Sequence, residues 1–179
     1  MFKSKSYIFF LTLFLVHSIF MTTLARSQNY EPWTGAVVGA RIDFSKDDAL
    51  DKIRKLINEG DTIGAVREAN KIVSSLAQIE RGGAAETIFR YDAYNAYCIS
   101  LTANKEYEKA MEACNEAIKQ LPSRWQAFNS RGSLNYKTEN FKQALSDYQS
   151  ALGRAPDAPQ IKRLLEHNIK IAEVRVSGN

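Results

Sequence analysis

Two stretches of this chain say nearly the same thing 34 residues apart: "YEKAMEACNEAIKQLP" (Tyr107–Pro122) and "NFKQALSDYQSALGRAP" (Asn140–Pro156). At that offset Tyr107 falls on Phe141, Ala110 on Ala144, Cys114 on Tyr148, Ala117 on Ala151, Ile118 on Leu152 and Pro122 on Pro156. Small and bulky residues recur three and four apart, the spacing of one face of a helix, and each stretch ends at a proline that cannot continue one. A repeated unit of this length cannot bury its apolar face alone. It must stack on its neighbours, which favours an array of helical hairpins over the alternative, a generic helical bundle.

The rest of the chain fits that array. Asp47 and Asp48 follow Ser45, a good N-cap, and acids are favoured in a first helical turn. Ala49, Ile53, Leu56 and Ile57 then form a stripe that Gly60-Asp61 breaks. A second helix carries Ala65, Val66, Ala69, Ile72, Val73 and Leu76, and "ERGGAA" (Glu80–Ala85) interrupts again. Helices are predicted over 85–103, 107–120, from a Ser123 cap through Trp125, Phe128, Leu134 and Tyr136, over 140–154, and from Pro159 to about Val176. No segment alternates with a period of two, so the expected class is all-α.

Before the first helix lies "MFKSKSYIFFLTLFLVHSIFMTTLARSQ". Lys3 and Lys5 precede an apolar run from Tyr7 to Met21, and small residues follow at Thr23–Ala25. This is the layout of a secretory signal peptide cleaved after Ala25; an uncleaved membrane anchor is the alternative, for which the run is short and is interrupted by His17 and Ser18. Residues 26–44, with Trp33, Val37 and Val38, read as an extended lead-in. The formal charge is +4. Without Lys3 and Lys5, 22 of the 24 basic residues face 20 acidic ones. A chain so balanced, with no basic stripe, gives no case for nucleic acid, and once the signal is removed none for a membrane. There is no Asn-X-Ser/Thr sequon, which suits a bacterial envelope, with the periplasm as the expected compartment.

From Trp125 onward the residues resemble a tetratricopeptide repeat. Phe128, Gly132, Asn140-Phe141, Ala144, Tyr148, Ala151 and Pro156 fall on the positions of that family's helix–turn–helix unit, while Arg131 stands where the family has a large apolar residue. Tyr94, Cys98, Leu101, Tyr107, Ala110, Cys114, Ala117 and Pro122 repeat the pattern one unit earlier. A degenerate unit covers residues 46–79, and about 11 residues, 80–90, separate it from the two firm repeats at 91–158. The resemblance implies a stacked solenoid with residues 159–176 as a capping helix, whose Lys162, Glu166, Lys170 and Glu173 face outward. It implies a concave groove for a protein or peptide partner, lined by Asp92, Asn95, Ile99 and Thr102 in one unit and Gln126, Asn129, Ser133, Tyr136 and Lys137 in the next. Asp47, Leu50 and Arg54 would extend it. Asn95 and Asn129 share a repeat position from which an amide can serve a peptide backbone, or simply face water. The paired basic residues with which some members clamp a C-terminal carboxylate are not reproduced.

The two cysteines, Cys98 and Cys114, occupy facing positions in that register. In an export compartment this implies a disulfide, with two buried thiols as the alternative. Chemistry is otherwise sparse. His167 reads as a surface residue of the last helix, "DFSKDDALD" (Asp43–Asp51) lacks the spacing of a calcium loop, and Gly82-Gly83 permits a turn. There is no nucleophile elbow, phosphate loop or dinucleotide signature. The expectation is a protein with no catalytic residues, no metal site and no cofactor, acting as an adaptor of the cell envelope. The alternative is an anchored assembly or regulatory subunit of an envelope complex.

Overall fold

A computed structural model describes residues 48–76 and 84–178. The expected signal peptide, the lead-in, the Ser45 cap and Gly82-Gly83 lie outside them. The described chain is helical throughout: α1 (Asp48–Asn58), α2 (Thr62–Leu76), α3 (Ala84–Ala103), α4 (Tyr107–Gln120), α5 (Trp125–Lys137), α6 (Phe141–Leu152) and α7 (Pro159–Ser177), with no strand among the described residues. Each helix packs on the next in sequence, and the odd helices α1, α3 and α5 also touch one another in a row.

The turns explain why the hairpins are alike. Non-helical φ values recur at Gly60 (82°), Lys105 (64°) and Glu139 (62°), spaced by 45 and then 34 residues. Around each, the same two backbone bonds close the preceding helix. Asp61 N–H donates to Leu56 O (2.9 Å), Glu106 to Leu101 (2.9 Å) and Asn140 to Asn135 (2.8 Å). Gly60 N–H donates to Ile57 O, Lys105 to Thr102 and Glu139 to Tyr136. These are Schellman closures, in which a left-handed residue lets the chain reverse while the last carbonyls stay bonded. The 45-residue step is the 34-residue period plus 11 extra residues; seven of them lengthen α3, which has 20 residues against 13 in α5, and the turn geometry is untouched.

With the turns in register, side chains meet at one crossing per hairpin, and each hairpin fills it differently. Ile53 and Ala69 share the first core cluster. Cys98 and Cys114, both 0% exposed, fill the second and are joined by a disulfide with a Cα–Cα distance of 5.0 Å. At the third, Gly132 admits the Tyr148 ring so closely that a Cβ would lie 2.6 Å from Tyr148 Cε1. Close packing demands that the space be filled, and a large residue on one helix needs a small one opposite. Beside the crossings sit the alanines Ala65, Ala110 and Ala144, all 0% exposed.

α7 closes the C-terminal end. Leu164 and Leu165 pack with Trp125, Phe128 and Ala151, and Ala172 with Ala144 and Tyr148. Lys162, Glu166, Lys170 and Glu173 are exposed, as the apolar stripe predicts. His167 is half-buried rather than on the open surface. One local expectation needs correcting. No side chain caps α5, whose N-cap is Arg124 rather than Ser123. At α2 the cap is Asp61, whose Oδ1 accepts the Gly64 N–H at 2.8 Å.

Candidate functional site

The expected groove residues lie on α3 and α5, the adjoining members of the odd-helix row. Their exposure corrects the expectation of an open surface. Asp92 (2%), Asn95 (1%), Ile99 (8%), Thr102 (5%), Asn129 (2%) and Ser133 (1%) are buried. Only Gln126, Tyr136 and Lys137 are half-exposed. Of the degenerate unit's positions, Leu50 is 0% exposed, Arg54 pairs with Asp51 one turn earlier, and Asp47 lies outside the described residues.

Burial of polar groups requires partners, and most of these have them. Thr102 Oγ1 donates to Cys98 O (2.8 Å) and Ser133 Oγ to Asn129 O (3.0 Å), both one turn back on their own helices. The Ser133 hydroxyl also accepts from Tyr148 Oη at 3.3 Å. Asn129 Oδ1 accepts from Asn168 Nδ2 of α7 at 2.8 Å, so the terminal helix supplies the amide that a ligand was expected to supply. Asp92 takes Arg124 Nη1 at 3.1 Å, and the same guanidinium lies 4.8 Å over the Tyr91 ring. Tyr91 Oη accepts the Ala127 N–H (2.9 Å) and donates to Gln126 Oε1 (3.3 Å), tying α3 to the first turn of α5. Burial pushes the Tyr91 phenol well above its usual range, so it stays a neutral donor. The Tyr148 phenol is pushed up for the same reason.

Asn95 is the exception. It sits at the repeat position of Asn129, yet neither its Nδ2 nor its Oδ1 has a hydrogen-bond partner. A buried amide left unsatisfied costs about 1–3 kcal/mol per group.

A second polar cluster escaped the sequence reading. Arg131 turns to α6, where its Nη2 lies 2.6 Å from Asp147 Oδ1 and its Nε donates to both carboxylate oxygens. Asn135 Nδ2 donates to Asp147 Oδ2 (2.9 Å), and Arg131 Nη1 reaches Asn115 Oδ1 on α4 (2.7 Å). A charge among the apolar positions of the 34-residue echo was the available signal, since a half-buried cation calls for an anion opposite.

Both cysteine sulfurs are consumed in the disulfide. Among the described residues no group of three His, Cys, Asp or Glu could hold a metal, and no helix is long and apolar enough to cross a membrane. Compared with protein-family models and with curated proteins, the chain finds no match.

Proposed function

We propose that this chain is an exported, non-catalytic adaptor of the tetratricopeptide-repeat type, binding a protein or peptide of the bacterial cell envelope along the α3–α5 row. The observation that carries the reading is the thrice-repeated turn at Gly60, Lys105 and Glu139, which places α1, α3 and α5 side by side. A row of equivalent helices offers equivalent polar positions at a regular step, which suits an extended partner with its own regular backbone. The disulfide supports an oxidising compartment. Because the inner residues are buried, the contact surface of this reading is carried by Gln126, Tyr136 and Lys137. Asn95 adds an unsatisfied amide on the same row.

The test is capture of the tagged chain after mild crosslinking in its own cells, beside a Gln126→Ala/Lys137→Ala variant. One partner at near-equal abundance, lost in a variant whose melting temperature is unchanged, is expected. Equal capture by both forms, or no enriched partner, would sink the reading.

A further inference from the structure

The side of α3 turned away from Asn95 carries a different opportunity. Between α3 and α4 lies an open depression of about 320 Å³ lined by Tyr94, Tyr97, Lys109, Glu112, Ala113 and Glu116. Its meaning comes from the same place in the next hairpin. There, 34 residues on, Tyr94 corresponds to Phe128, Tyr97 to Arg131 and Ala113 to Asp147. In that hairpin the space is full. The Arg131 guanidinium is held by Asp147 and lies 5.7 Å from the Phe128 ring, and Arg154 stacks 4.3 Å from the same ring.

The correspondence extends to the flanking helix. Arg131 donates to Asn115 of α4, and Tyr97 Oη donates to Asn70 of α2 at 3.2 Å. Asn70 and Asn115 are themselves equivalent, one 45-residue step apart. Thus α3–α4 keeps the aromatic platform and the asparagine anchor, but has alanine where the carboxylate stood and, among the described residues, no guanidinium on the ring. Carboxylates return at the rim, where Glu112 and Glu116 replace Ser146 and Ser150. Glu116 is engaged by Lys119 and Gln120, and Lys109 by Glu106. Glu112 is exposed and makes no ion pair among the described residues.

We propose that this depression binds an arginine side chain of a partner polypeptide, its guanidinium against Tyr94 and Tyr97 and paired with Glu112. The planar guanidinium suits an aromatic wall and a carboxylate at once, as its relative Arg131 demonstrates one hairpin away. This site is separate from the α3–α5 row and does not depend on the adaptor reading.

The test is a titration of the full, oxidised, ¹⁵N-labelled chain with the peptide acetyl-Gly-Arg-Gly-amide, and with its citrulline counterpart as a neutral isostere. Saturable shifts are expected at Tyr97, Glu112 and Ala113, with affinity falling about fivefold for citrulline. Glu112→Gln should weaken the arginine peptide by a similar factor at unchanged melting temperature. Copying the neighbouring hairpin with Tyr97→Arg and Ala113→Asp should abolish binding by filling the space. Equal affinity for both peptides, or no saturable shift at these residues, overturns the proposal. If the copied pair fails to fold, the citrulline and Glu112→Gln comparisons decide alone. Shifts confined to Gln126 and Lys137 would overturn this site while favouring the α3–α5 row.

Discussion

Replacing Cys98 by Ile and Cys114 by Ala would write the first hairpin's crossing into the second. Ile53 and Ala69 fill their crossing at 1% exposure each, so the variant keeps an apolar, filled contact and removes only the covalent link. The link closes 16 residues of sequence between α3 and α4. Chain-entropy reasoning assigns such a loop about 3 kcal/mol at 25 °C, through restriction of the unfolded chain. For a domain of this size, each kcal/mol moves the melting temperature by about 3–4 °C, so a fall of roughly 10 °C is expected. Urea unfolding should show a lower midpoint and an equal or steeper slope, since the uncrosslinked chain exposes more surface when unfolded. The parent, reduced in denaturant and refolded under reductant, should match the variant within about 1 kcal/mol. A variant as stable as the oxidised parent would refute the entropic account. A loss beyond about 5 kcal/mol would refute the equivalence of the two crossings.

Three other perturbations probe separate features. Gly132→Ala places a Cβ 2.6 Å from Tyr148 Cε1, against a ring that is 0% exposed, and should cost about 1–3 kcal/mol by overpacking in chemical denaturation. Lys105→Gly and Glu139→Gly relieve a left-handed backbone that costs an L-residue about 1–2 kcal/mol, partly offset by glycine's extra freedom when unfolded. Each should therefore raise stability by about 0.5–1 kcal/mol, and a fall in urea midpoint would contradict the turn assignment. Hydrogen bonds from Lys109 and then Asn104 hold the Glu106 carboxyl below its ordinary 4.5. Its stabilisation is thus present above that value and lost as pH falls through the lower folded one. Glu106→Gln should flatten the melting temperature's dependence on pH between about pH 5 and 3.

The helices and their order were legible because an apolar stripe and a stop signal are local. Tyr107–Gln120 was read without error from its stripe and Pro122. The turns were only partly legible. Gly60 announces a left-handed residue, but Lys105 and Glu139 do not, because there the backbone closure outweighs side-chain preference. The candidate groove misled for a related reason. Asn129 and Ser133 are polar and mid-helix, which reads as solvent-facing, yet their partners Asn168 and Tyr148 lie 39 and 15 residues onward on other helices. Arg131 broke the pattern visibly, but its reason, Asp147, appears only once α5 and α6 are laid side by side.

The asparagine bridge from α5 to α7 also marks the surface on which the row of hairpins meets its last helix. A stack of equivalent hairpins has no internal reason to stop, since each presents the surface on which another could land. Here the landing place is taken by a single helix that matches it on one side with Leu164, Leu165, Asn168 and Ala172. Its other side carries Lys162, Glu166, Lys170 and Glu173, on which no further hairpin could dock without burying their charges. A single helix, α7, thus occupies the face of α5 and α6 on which a further hairpin would otherwise pack.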